Sequence, residues 1–358
     1  MKILIGGKYD VNYNRTKIII DGLKTLSNVE LSYYNFSEKS KYNLFRLAKA
    51  CNNADVIFMP SFTHIDVPIV KAVTKKPIIF DPLISRYLSK VFDYKKVSRY
   101  SPRAYKNFLK DKLSMQFADV VICDTIAHKN YYEKTFGIDP AKMKVIYVGV
   151  NTDDFLTLPQ VQAKPFFNVG FYGSFIPLHG TKIIIEAAQQ LASQTGIHFT
   201  MIGEGVEYEN MKILALQQYK LSNISFTGWM KYDELTSSIN AFDVALGIFG
   251  SSLKTDLVIP NKIFHYAAAG KAIITKQTPA IQELFTDEKN ICLCTNTPED
   301  LAASILKLKN NVVLKDAIAK NAQQLVTSNY NHINIANALL AIAEDVTAID
   351  SSSQKYKG

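Results

Sequence analysis

The sequence predicts an α/β protein made of two doubly wound domains. Two observations carry this reading. Short apolar runs ending in glycine or proline alternate with stretches of helical spacing along nearly the whole chain, which is the pattern of parallel strands joined by helical crossovers. The pattern also restarts after Val150–Pro165, a stretch with two prolines and little periodicity that reads as a linker. A chain of 358 residues has the length of two ordinary domains, and a hydrophobic content of 47% is enough for two cores. The first domain is predicted to cover residues 1–155 and the second 156–329, with a C-terminal helix at about 330–349 packing back on the first.

In the first domain Ile3–Ile5 is a strand closed by Gly6 and Gly7, followed by a helix at Ile18–Leu26 and a strand at Val29–Tyr34. A helix from about Lys41 to Ala50 leads to the strand Asp55–Met59, which stops at Pro60. Val67–Val73 is helical, and Pro77–Phe80 is a strand ending at Asp81-Pro82. Ligands of such sheets lie beyond the carboxyl ends of the strands, which places Gly6, Gly7 and Asp81 on the functional edge. Asp119–Cys123, Ala127–Phe136 and Lys144–Val148 continue as strand, helix and strand.

In the second domain the strand Asn168–Tyr172 runs into the loop Gly173–Gly180 and the helix Thr181–Ser193, with Thr181 as its predicted N-cap. Ile197–Ile202 ends in Gly203-Glu204-Gly205, a helix follows to about Tyr219, and Ile224–Thr227 precedes Gly228-Trp229. After the helix Tyr232–Asn240 comes the stretch that organises the rest, Ala245–Thr275. It reads as strand, loop, short helix, glycine stop and strand. Pro260 fits a first helical turn, and Gly270 fits a left-handed helix end. Lys254 and Lys262 flank that helix start, where unpaired N–H groups favour an anion. A helix beginning at Ile281–Leu284, a strand at Ile291–Cys294 and a helix at Pro298–Lys309 follow. The chain is then helical from about Leu314 to Ile349, broken near Ser328–Tyr330, with a disordered tail.

The formal net charge of +9 admits an anionic partner without choosing one. No nucleic-acid-binding motif is present, so nucleic acid is not the expected partner. Arg86–Lys112 holds nine Lys and Arg residues against Asp93 and Asp111, interleaved with six aromatics. It reads either as a solvated face over an aromatic stripe or as a surface for anionic headgroups at a membrane or for a phosphorylated lipid acceptor. Cys51, Cys123, Cys292 and Cys294 lack metal-ligand spacing and read as reduced thiols. The first apolar run is too short for a signal peptide, and none approaches the roughly 18–20 residues of a membrane span. The expected location is therefore cytoplasmic, peripheral at the inner face of the membrane.

Glycines at strand ends let a backbone approach a pyrophosphate, and helix N-termini supply donors to it. The spacing of Gly170, Gly173 and Gly180 does not fit the dinucleotide fingerprint, so a nicotinamide cofactor is not favoured. Trp229, the only tryptophan, reads as a nucleobase partner or a core residue.

GFYGSFIPLHGTKIIIEAA, FTMIGEGVE, ISFTGWMKYDEL and VIPNKIFHYAAAGKAIITKQTPAIQEL, in that order, resemble the GT-B glycosyltransferases of the large, mostly retaining, nucleotide-sugar-using group 1 (family 4-like) type. ADVVICDT and FGIDPAKMKVIYVGVNTDDF resemble the segment leading into their linker. The resemblance implies a GT-B fold, two Rossmann-like domains facing across a cleft, and transfer of a sugar from a UDP- or GDP-linked donor to a glycan or lipid-linked acceptor. It implies no metal and no cofactor beyond the nucleotide sugar. Donor contacts would come from Gly173, Ser174, Gly180, Gly203, Glu204, Gly205, Trp229, Lys262, His265 and Glu283, with Gly6 and Gly7 on the acceptor side. Asp81, His179 and Lys254 are the catalytic candidates.

Ser174 and His179 stand where this family usually has an arginine and a lysine, and Leu257 and His265 where it commonly has two glutamates. Lys254 and Lys262 are read as replacing the missing cations, His179 as a phosphate donor and His265 as a ribose partner. The alternatives are a catalytically degenerate partner or scaffold subunit and, less favoured, a sugar epimerase of the same fold.

Overall fold

The computed structural model describes residues 1–36, 43–155 and 165–355. The chain forms two compact units, Met1–Gly149 together with the segment from Asn331 onward, and Val150–Tyr330. The predicted helix start at Lys41 and most of the predicted linker, residues 156–164, lie outside the described residues, as do the last three residues of the tail.

The first unit begins with β1 (Lys2–Gly7), α1 (Asn14–Lys24), β2 (Glu30–Asn35), α2 (Leu44–Asn52), β3 (Val56–Met59), α3 (Val67–Val73) and β4 (Ile78–Phe80). Then follow α4 (Pro102–Phe117), β5 (Val120–Cys123), α5 (Ile126–Phe136) and β6 (Met143–Val145). All pairs are parallel, in the order β2-β1-β3-β4-β5-β6. The central strands are buried from end to end, as a sheet covered on both faces requires.

The second unit contains β7 (Phe167–Tyr172), α6 (Thr181–Gln190), β8 (Ile197–Ile202), α7 (Tyr208–Ile213), β9 (Ile224–Gly228), α8 (Tyr232–Asn240) and β10 (Val244–Leu246). After these come α9 (Leu253–Leu257), α10 (Asn261–Ala268), β11 (Ala272–Lys276), β12 (Cys292–Cys294), α11 (Pro298–Asn310) and α12 (Val312–Asn329). Its parallel sheet has the order β12-β11-β10-β7-β8-β9. Order reverses between β7 and β10, and a crevice opens at such a switch point. Phe171, Phe199, Met201 and Leu246 form the middle of the core.

The last helix, α13 (His332–Lys355), belongs to the first unit and packs on α1. Gly22 permits the contact, since a Cβ there would lie 2.1 Å from the His332 carbonyl oxygen. The helix also runs into the tail read as disordered, reaching Lys355.

Four local readings change. The N-cap of α6 is Gly180, in the left-handed region at φ +61°. Thr181 lies inside the helix with its hydroxyl buried and caps nothing. The apolar run Ala245–Phe249 is strand only through Leu246, and the short α9 follows. Ile281–Glu283 is a single tight turn rather than the start of a helix. Pro260 caps α10 from just outside, with φ −71° and ψ 151°, one residue before the expected place. All four cysteines are buried and free.

Candidate donor site at the switch point of the second unit

Three loops leave the carboxyl edge of the second sheet and are pressed together backbone to backbone. The loop after β7 is tied to the loop after β8 by Phe175 N–H donating to the Glu204 carbonyl at 2.9 Å and Glu207 N–H to the Phe175 carbonyl at 3.0 Å. It is tied to the loop after β10 by Phe249 N–H donating to the His179 carbonyl at 3.0 Å and Gly250 N–H to that of Leu178 at 3.2 Å. Glycine is required for this closeness. A Cβ on Gly203 would lie 2.1 Å from the Gly173 carbonyl oxygen, and one on Gly180 2.3 Å from that of Phe249.

Lys262, in the first turn of α10, is 3% exposed and reaches under the first of these loops. Its Nζ is 3.9 Å from the Phe171 ring centroid and has no hydrogen-bond partner among the described residues. Burial pushes its ammonium well below the ordinary lysine range. Gly173 keeps the space beside it clear, because a Cβ there would sit 2.8 Å from Nζ and 2.9 Å from His179 Cε1. A buried ammonium in the first turn of a helix is unfavourable twice over, through desolvation and through the helix dipole. An anion in the crevice would relieve both.

His179 is held by Nδ1–H donating to the Ser174 carbonyl. Burial, with Lys262 and Lys254 nearby, holds its imidazole well below its ordinary range. A carbonyl can only accept, so the neutral ring presents Nε2 as an acceptor. The expected gift of a proton to a phosphate therefore does not fit this geometry, and His179 serves to brace the loop at Ser174. His265 shares a 2.7 Å hydrogen bond between Nδ1 and the Tyr172 hydroxyl and lies against Phe155, with ring centroids 5.5 Å apart.

Comparison with known proteins agrees with this topology. Residues 167–311 match the family profile described as glycosyl transferases group 1. The chain is 25% identical over 228 residues to an uncharacterized glycosyltransferase of Methanocaldococcus jannaschii, covering 62% of this chain and 57% of that one. It is 25% identical over 242 residues to chitobiosyldiphosphodolichol beta-mannosyltransferase of Candida albicans, covering 60% and 50%. The chain thus spans about half the length of these relatives. Among solved structures, Anabaena HepE in complex with UDP superposes with a TM-score of 0.73 at 18% identity, over 96% of this chain and all of that one. The fold is GT-B.

On this GT-B frame the second unit brings Gly173, Ser174, His179, Gly180, Lys254 and Lys262 together around the loop after β7, with Gly203, Glu204 and Gly205 on the loop beside it. Trp229 follows β9, 68% exposed, its backbone N–H donating to Glu204 Oε1 at 3.4 Å. That excludes the core reading for the tryptophan. Glu283 is half-buried on the turn after β11. The residue that opens this turn is tied to α9 by Ala280 N–H donating to the Asp256 carbonyl at 3.3 Å, and the end of β11 by the Lys276–Asp256 ion pair at 3.0 Å.

Asp81, Gly6 and Gly7 lie in the first unit, and their surroundings there differ from those expected. Asp81 is 1% exposed, accepts from Arg15 Nε at 2.8 Å and from Leu83 N–H at 3.1 Å, and has both oxygens engaged inside the fold. It is a structural ion-pair partner, not a group presented to a ligand. Gly6 and Gly7 are buried, and the close approaches they allow are to Met59 and Thr63.

Sequence reasoning missed Arg15, which is fully buried and also donates to the carbonyls of Tyr147 at 2.6 Å and Ile146 at 2.9 Å. It missed Phe171 and Tyr172 as well, although strand alternation sends these two neighbours to opposite faces just before Gly173.

Proposed function

We propose that this protein is a glycosyltransferase that moves a sugar from a UDP- or GDP-linked donor to a glycan or lipid-linked acceptor with retention, as a group 1 enzyme of the family 4-like type. The observation that carries the reading is the buried Lys262 ammonium beside Gly173 at the switch point, a cation lacking a hydrogen-bond partner among the described residues where a donor diphosphate would lie. Electrostatic stabilisation of the leaving diphosphate needs fixed positive charge nearby, and Lys262 and Lys254 can supply it without a metal. Exposed Trp229 fits a platform for the base, and Glu283 and His265 fit sugar and ribose contacts. The UDP complex of HepE and the name of the Candida relative, a mannosyltransferase of chitobiosyldiphosphodolichol, support a nucleotide-sugar donor and a lipid-linked acceptor. We place the work in the cytoplasm, at the inner face of a membrane contacted through Arg86–Lys112.

The test is UDP and GDP release from a panel of nucleotide sugars, with and without lipid-linked acceptors, in the presence of EDTA. Release that survives EDTA is expected. Its absence for every donor would favour the second reading, a degenerate partner subunit, which the bracing role of His179 favours.

A further inference from the structure

The first unit has a switch point of its own. Its strand order reverses between β1 and β3, and ligands of a doubly wound sheet lie at such a place. Buried polar atoms without partners gather on the segments that follow these two strands. Asn14 Nδ2 and Thr16 Oγ1 stand in the first turn of α1, and Ser61 Oγ two residues after β3. None of the three has a hydrogen-bond partner among the described residues. Thr16 and Ser61 are each 1% exposed. An orphaned buried polar atom destabilises a fold, so this grouping at a switch point indicates a ligand that completes it.

The carboxylate that Asp81 does not present is supplied one strand over. Asp124 follows β5, which pairs with β4. His128 Nδ1–H donates to its Oδ1 at 2.7 Å, while Oδ2 accepts no hydrogen bond among the described residues. His128 is fully buried in the first turn of α5, and its Nε2 has no partner among the described residues. The imidazole thus makes one hydrogen bond, and that bond orients Asp124. The start of α1 is close by. After burial, the charges of Asp81 and Asp124 push the hydroxyl of Tyr13, the residue before α1, up to about 12. Arg15, the buried cation of the same turn, is already engaged by Asp81 and two carbonyls.

Donor and acceptor chemistry decides what fits. A carboxylate only accepts, so Oδ2 needs a donor, and a phosphate dianion has none and is repelled. An amide N–H₂ only donates, so Asn14 Nδ2 needs an acceptor. A sugar hydroxyl is both. We propose that Asp124, oriented by His128, binds a hydroxyl of the acceptor, and that the group received at the switch point of the first unit is an uncharged sugar. Asp124 touches the ligand, and His128 is a positioning residue. This rests on the glycosyltransferase reading only in calling that sugar the acceptor, since the binding is measured without donor or transfer.

The test is saturation-transfer NMR on the full chain without nucleotide. The probes are methyl α-glucoside, methyl α-galactoside and methyl α-mannoside, beside the 6-phosphates of the same hexoses. Wild type is expected to bind at least one glycoside, and its 6-phosphate about fivefold more weakly or worse. Asp124→Asn should weaken glycoside binding about tenfold or more, as expected for a hydrogen bond to a charged group, and narrow the preference over the 6-phosphate. His128→Leu should weaken it about fivefold or more, whereas His128→Asn, whose N–H₂ can still donate to Oδ1, should stay within about threefold of wild type. A merely structural histidine would show neither that rescue nor a changed preference. Thermal melts and UDP titration verify that the variants fold.

Any of four results would overturn the proposal. One is wild type that binds none of the glycosides. Another is a 6-phosphate bound as tightly as its glycoside. The third is Asp124→Asn that binds and discriminates like wild type. The last is equal loss in His128→Leu and His128→Asn, which would remove the positioning role. Glycoside binding without UDP or GDP binding would keep the Asp124 site and sink the transferase reading. UDP binding without glycoside binding would do the reverse.

Discussion

Lys262 occupies a position that stability alone does not explain. A buried donor without a partner costs about 1–3 kcal/mol, and a charged one more, yet the chain places it over Phe171 and keeps Gly173 clear beside it. Lys262→Met should therefore raise stability by about 1–3 kcal/mol at pH 7, read by urea denaturation. The advantage should shrink as pH rises. With its folded pKa depressed, Lys262 binds fewer protons folded than unfolded between that value and 10.5. Wild-type stability thus climbs with pH across this window. The importance of the lysine was legible in its loop context. Its burial was not, because a lysine two residues after a proline reads equally well as solvated, and only the packing of α10 against β7 decides. His179 shows the opposite failure. The family position suggested a phosphate donor, but a hydrogen bond to the Ser174 carbonyl, invisible in sequence, fixes the wrong tautomer for donation.

At the scale of elements, the alternation of strand and helix was legible nearly throughout because parallel strands buried on both faces are continuous apolar runs. What escaped were pieces set by tertiary contact. Helix α9 is five residues long, too short for periodicity to mark. Arg15 reads as an ordinary polar residue at the start of α1, yet it joins that helix to the end of β4 and to the chain after β6. Removing one member of a buried ion pair strands the other, at about 3–5 kcal/mol. Arg15→Met should lower stability by that amount in chemical denaturation, and Arg15→Met with Asp81→Leu by less. If Asp81 instead faced a ligand, Arg15→Met would cost little stability.

For the whole molecule, the division after Gly149 and the assignment of α13 to the first unit make a regional expectation. Gly22→Ala places a methyl against the His332 carbonyl, an overpacking that typically costs about 1–3 kcal/mol. Hydrogen exchange should show lost protection within residues 1–149 and 331–355, with 150–330 and its UDP affinity unchanged. The return of the last helix was readable as an apolar helical pattern beyond the second domain, whereas the partner that accepts it, a glycine on α1, carried no signal of its own. On the proposed reading, the switch point of the second unit holds a nucleotide diphosphate through Lys262. Calorimetric titration of UDP and GDP into wild type and Lys262→Met tests it most directly. One nucleotide is expected to bind wild type, and Lys262→Met to lose about tenfold to a hundredfold in affinity, the worth of a charge-assisted hydrogen bond, while remaining at least as stable. Equal affinity in the two proteins, or no binding of either nucleotide at millimolar concentration, would contradict it.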